Sequence, residues 1–237
     1  MSVYVLVHGA WLGGWCWDRV ARRLREAGHV VITPTLTGLG DRQELCNPGV
    51  NLDTHIQDIV AVLTETPAGD VVLVGHGYGG MVITGAADRV PARISALVYL
   101  DCLVPEDGDC TMDMWPPGRQ KLVLDDAAAF GGHTVPAPNM AMFGLNPADL
   151  DWVQARMTPH QLAALQQPIR LTGAHQTIER NFYVIAQDRI GGELFFDKHQ
   201  NDPTWRGFRI KAGHTLIFDA PEAVAEILLQ TAYWHKV

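Results

Sequence analysis

No apolar run in these 237 residues approaches the roughly 18 needed to cross a bilayer, and no basic, apolar, small-residue leader precedes the first strand-like segment. The expectation is a cytoplasmic chain with no membrane partner. Cysteine is scarce: Cys16, Cys46, Cys102 and Cys110 are irregularly spaced and form no C-x-x-C pair, which argues against a disulfide framework and a zinc site. The sequence holds no H-E-x-x-H, and its ten histidines form no ligand cluster along the chain, so no metal is expected. Positive charge is outweighed, 18 Lys and Arg against 26 Asp and Glu for a net charge of −8. The cluster Arg19, Arg22, Arg23 and Arg25 is offset by neighbouring acids and reads as a solvated helix face, so no nucleic-acid partner is expected.

What is present, with 47% hydrophobic residues, suits one well-buried α/β domain with an insertion. Residues 3–7 are a continuous apolar run, as in strands covered on both faces, and a Gly-rich loop from His8 to Gly14 follows. Helical spacing over 17–27 (Val20, Ala21, Leu24, Ala27) ends at Gly28, where a C-terminal cap belongs. Residues 29–33 are the next strand. A helix carrying Ile56, Ile59, Val60 and Leu63 follows, with Asp53 as its expected cap. Strands are expected again at 71–74 and 95–100, then at 181–186 and 207–211, before a final helix opened by Pro221. Strands alternating with helices predict a six-stranded, mostly parallel sheet flanked by helices. The stretch between Pro105 and Pro168 differs, holding eight of the fourteen prolines and five of the seven methionines. It reads as an inserted helical cap, with a helical pair at about 147–157 and 158–167 in which Thr158-Pro159 starts the second helix. Its methionines suit either an adaptable roof over a cleft or a small satellite core. The division is therefore a core of 1–104 and 181–237 and a cap of 105–180.

The chain is organised around residues 71–80, where four β-favouring apolar residues run into a segment with four glycines and then a helix. Gly75, Gly77 and Gly80 have the spacing of a dinucleotide fingerprint, whereas a nucleophile elbow, G-x-S-x-G, would need Ser at position 77. In an open parallel sheet, ligands sit at the carboxyl ends of the strands. Those ends offer His8-Gly9-Ala10, Gly77-Tyr78, Asp101-Cys102, Asp188 and His214. An acid and then a histidine behind an elbow is the chain order of a hydrolase triad, so Asp188 and His214 are the expected acid and base. Asp197 and Asp202 are rivals in a polar loop away from a strand end. The backbone amides of Tyr78 and Ala10 stand where an acyl-transfer site needs its two oxyanion donors.

Three motifs carry a resemblance. His8-Gly9-Ala10-Trp11-x-Gly13-Gly14-Trp15 looks like the oxyanion loop of the α/β-hydrolase superfamily, in the branch of plant hydroxynitrile lyases, methyl-ester esterases and their bacterial relatives. Residues 71–81 are similar to that branch's elbow, and Lys211-Ala212-Gly213-His214 resembles its histidine loop. Met142-Phe143-Gly144 and the segment 158–167 look like parts of its cap. The resemblance implies a strand order 2-1-3-4-5-6 and a cofactor-free site for small esters, with hydrolases of methyl carbamates such as carbendazim among the similar bacterial proteins. The Lys that the lyases carry just after the final His is replaced here by Thr215.

Gly77 departs from that family pattern and removes the nucleophile. Three explanations follow: an engineered Ser→Gly change made to hold an intact substrate, which the survival of the other site groups favours; a natural pseudoenzyme that binds ligands; or a different reaction using the His214 and Asp188 pair on water. Cys16 and Cys102 lie off the elbow and read as core thiols. A rival of another class is an NAD(P)-binding oxidoreductase using Gly75, Gly77 and Gly80, with Asp101 near the place of a ribose-binding acid. The oligomeric state is not legible.

Overall fold

In the computed structural model, which describes residues 1–67, 70–187, 199 and 201–233, the sheet has six parallel strands. They are β1 (Val3–Val7), β2 (Val30–Ile32), β3 (Val71–His76), β4 (Ala96–Leu100), β7 (Asn181–Ala186) and β8 (Trp205–Ile210), in the order β2-β1-β3-β4-β7-β8. Every neighbouring pair in that sheet is parallel, in agreement with the expected architecture. Side chains alternate between its faces with period two. Val5, Val7, Leu73, Leu97, Tyr99 and Tyr183 pack under helices α2 (Leu52–Glu65) and α3 (Gly79–Arg89). On the other face Tyr4, Leu6, Val72, Val74, Val98 and Phe182 meet α1 (Asp18–Glu26) and the closing helix Pro221–Tyr233. Because both faces are covered, the central strands are apolar throughout and show no polar alternation.

Two local expectations change. The cap of α2 is Asn51, whose side chain accepts from the Thr54 amide while the Thr54 hydroxyl accepts from the Asn51 amide; Asp53 lies one residue inside the first turn. In the insertion between β4 and β7, the first helix of the expected pair exists as α5 (Pro147–Gln154), but Thr158-Pro159 does not start the second. The Thr158 amide donates to Trp11 O at 3.0 Å and its hydroxyl accepts from Gly40 N at 3.0 Å. With both groups used by the core, the chain stays extended through β6 (His160–Gln161), which pairs antiparallel with β5 (Thr134–Val135), and turns helical only at α6 (Leu162–Gln166). α4 (Pro117–Ala129) completes the insertion's helices among the described residues. Arg19 on α1 grips both carboxylate oxygens of Asp149 on α5 at 2.7 and 2.6 Å, and the Trp11 indole N–H donates to Val135 O at 3.1 Å. The cap is thus tied to the core at its helix and at its small ladder.

Candidate active site

β3 ends at His76, and the chain reverses at Gly77 with φ +56° before α3 begins at Gly79. That φ is one side chains rarely adopt, and the turn around it is sterically tight. A Cβ at Gly75 would come within 2.8 Å of Gly79 O, and one at Gly80 within 2.1 Å of Leu103 O. The outer glycines are therefore needed for the close approach of α3 to β3 and β4. A Cβ built on Gly77, by contrast, would sit 3.3 Å from His214 Nε2 and 3.8 Å from Gly9 Cα. A side chain there would point at the histidine, as an elbow requires.

His214, in the loop after β8, donates from Nδ1 to Asp101 Oδ2 at 2.6 Å. The expected acid, Asp188, lies outside the described residues, as does Asp197. Among the described residues the carboxylate brought to His214 is Asp101, at the end of β4. The reason is register: β4 is hydrogen-bonded to β3 with Leu100 beside His76, which places the next residue, Asp101, beside Gly77. Asp101 is fully buried at φ +45°, and its Oδ1 accepts from Ala186 N at 3.2 Å. The rival acid Asp202 accepts from the Thr204 amide and hydroxyl at 2.8 and 2.6 Å.

The first Gly-rich loop lies against the elbow. His8 donates from Nδ1 to Gly9 O at 2.8 Å and accepts from Leu36 N at Nε2 at 3.0 Å. Burial pushes its pKa down to about 4, so the ring is neutral and both bonds have a defined direction. Ala10 and Tyr78, the expected oxyanion positions, both line the central cavity. Among the described residues neither of their amides donates to a protein acceptor. Tyr78 is held from behind: its hydroxyl donates to His55 Nδ1, and His55 Nε2 donates to Thr37 O, each at 2.9 Å. Burial lowers His55 to about 4 and His160 well below its ordinary value. The neutral His160 ring accepts from Trp11 N at 3.4 Å and stands edge-on to the Tyr78 ring at 4.7 Å. Neither His55 nor His160 carries a motif in the sequence, and only the packing brings them beneath the first Gly-rich loop.

The cavity over Gly77 measures about 570 Å³ and is walled mainly by apolar groups, with Met114, Trp115, Met140 and Phe143 of the insertion forming its roof. The expected methionine roof is realised by two residues only. Met112 is in the core and Met142 is 67% exposed, while Trp15 packs against Trp152 and Phe218 outside the cavity. Two polar groups of the insertion enter the lining. Thr111 is buried and its Oγ1 has no hydrogen-bond partner among the described residues; Arg119 stacks 4.2 Å over the Trp115 ring. The chain's two serines are elsewhere, Ser2 donating to Asp70 and Ser95 to Val71 O. Cys16 is buried away from the cavity, and Cys102, which lines it, directs its thiol to Gly75 O at 3.5 Å.

A parallel sheet in this order, a glycine-walled elbow and a histidine bonded to a strand-end carboxylate define an α/β hydrolase. The profile of the alpha/beta hydrolase family matches residues 4–227, and the chain belongs to that family. It is 39% identical to the carbendazim hydrolyzing esterase of Nocardioides sp. (strain SG-4G) over 241 residues, 96% of this chain and 98% of that protein. It is also 27% identical to the putative chloroplastic methylesterase 11 of Arabidopsis thaliana over 247 residues, 97% of this chain and 63% of that one. An extracellular α/β-hydrolase from a Paenibacillus species shares the fold with a TM-score of 0.86 at 24% identity, covering 99% of this chain and 100% of that one.

Proposed function

We propose that this chain carries the active site of an esterase for small aromatic or apolar esters or carbamate esters, with Gly77 at the nucleophile position. In this reading Asp101 orients His214, and the amides of Ala10 and Tyr78 receive the developing oxyanion. One observation carries it: a Cβ at Gly77 would sit 3.3 Å from His214 Nε2, whose other ring nitrogen is bonded to a buried carboxylate. The esterase names of the relatives support the same reaction class, and the apolar roof suits an uncharged ester. With Ser at 77, the hydroxyl would pass its proton to His214 and attack the carbonyl to give an acyl-enzyme, which water then cleaves. Glycine has no such hydroxyl, so the present chain holds the ester without becoming acylated. The test is Gly77→Ser, assayed on nitrophenyl esters and aryl carbamates and labelled with a fluorophosphonate. The expected gain in kcat is on the order of 10⁶. An inert, unlabelled serine form would overturn the assignment.

A further inference from the structure

We infer that the Gly77 chain is itself a slow hydrolase in which His214 activates a water molecule directly and no covalent intermediate forms. This rests on reading the cavity as an ester site. Such a route needs a base with its lone pair facing the carbonyl, room for water beside that base, and donors for the oxyanion. The Nδ1–H bond to Asp101 leaves the lone pair of His214 on Nε2, the atom nearest the Gly77 Cβ position at 3.3 Å. Beyond the imidazole the nearest neighbour of that position is Gly9 Cα at 3.8 Å, and Gly77 and His214 both line the cavity of about 570 Å³, which gives water access to the ring. A serine would fill that space with two heavy atoms. Glycine leaves it to a water that can donate to Nε2.

Among the described residues no rival nucleophile is held against this base. Ser2 and Ser95 are bonded elsewhere, the Cys102 thiol is directed to Gly75 O, and Thr111 makes no bond to His214. In the inferred step the water oxygen forms a bond to the carbonyl carbon, and its proton goes to His214 Nε2. The carbonyl π pair moves onto oxygen, facing the Ala10 and Tyr78 amides. Collapse re-forms the carbonyl, breaks the bond to the leaving oxygen and returns the proton from Nε2 to it, releasing acid and alcohol. Asp101 stabilises the imidazolium in between and stays ionised.

The test compares the purified chain with Gly77→Ala, His214→Ala and Gly77→Ser on 4-nitrophenyl acetate. The expected result is turnover above buffer without a pre-steady-state burst, insensitive to fluorophosphonate and giving no covalent mass adduct. His214→Ala should lower it at least about 100-fold. Gly77→Ala should lower it about tenfold or more, because the methyl group occupies the water's place. Should the positive φ prevent Gly77→Ala from folding, His214→Ala decides alone. A rate unchanged in His214→Ala, unchanged in a folded Gly77→Ala, or abolished by fluorophosphonate overturns the inference. An active Gly77→Ser form beside a Gly77 chain with no His214-dependent rate sinks the water route alone. An inert serine form sinks the esterase reading with it.

Discussion

Among the described residues two aspartate–histidine pairs are formed, Asp101 with His214 at 2.6 Å and Asp88 with His175 at 3.0 Å, and their surroundings differ. Asp88, in the last turn of α3, is buried, which alone would raise its pKa. Its oxygens accept from the Thr172 amide and hydroxyl and from the His175 amide and ring, and together these hold the carboxyl well below its ordinary range. Every strong donor there belongs to segment 172–175, so the pair fastens that segment to α3. His175 lines a second cavity of about 320 Å³, which shares no lining residue with the one over Gly77. Asp101 spends one oxygen on Ala186 N and the other on His214, whose Nε2 is left toward the elbow. The same two residue types thus make a clasp in one place and, in the proposed function, a proton-transfer pair in the other. The difference is where the carboxylate stands: at a helix end in the first case, and beside the elbow at a strand's carboxyl end in the second.

The largest expected effect separates the pairs by activity. In the Gly77→Ser background, Asp101→Asn should lower kcat by about 10⁴, because the amide no longer fixes the histidine tautomer. Asp88→Asn should leave kcat within about twofold while lowering stability by about 1 to 3 kcal/mol, from buried donors left with poorer acceptors. Steady-state kinetics and denaturant unfolding read both. If Asp188→Asn costs as much kcat as Asp101→Asn, the acid is not Asp101.

The second separates them by pH. His8 and His55 have folded pKa values near 4, below the unfolded value of about 6.5, so only the unfolded chain gains their protons in between. Stability is intact above pH 6.5 and is lost as pH falls toward 4, by on the order of 2 kcal/mol per histidine at pH 5. Asp88 works in a lower window: its lowered carboxyl stabilises the fold above the unfolded carboxylate pKa and loses that contribution only as pH falls below it. Unfolding midpoints at pH 7.5 and 5 should therefore differ, and differ less in His55→Gln. An equally steep profile in that variant contradicts the assignment. The smallest effect is local to the cavity: Thr111→Val in the serine form should change KM for esters with a hydrogen-bonding substituent a few-fold and leave kcat alone.

Alternation of apolar runs with amphipathic stretches made the sheet and its helices readable, since a strand covered on both faces must be apolar along its length. The turn at Gly77 was readable too, because only a tight strand-to-helix reversal explains glycines at 75, 77, 79 and 80 together. The acid was not. Asp101 and Asp188 both follow strands, and chain order favoured the later one. Adjacency to β3 favours Asp101, a signal available only once the strand order was combined with the register of β4. Thr158-Pro159 misled for a similar reason, since the helix start it spells locally is overridden by bonds to Trp11 and Gly40, more than a hundred residues away.

By itself, then, the sequence determined the class of fold and the tight strand-to-helix turn at Gly77, and it singled out His214, Ala10 and Tyr78, which the structure brings to one cavity. These are properties of periodicity and of single loops. Only the tertiary structure decided the partner of His214, the two neutral histidines, His55 and His160, beneath the first Gly-rich loop, and which cap residues roof the cavity. Each of those depends on distances between segments far apart in the chain, and such distances are set by strand register and packing rather than by local pattern.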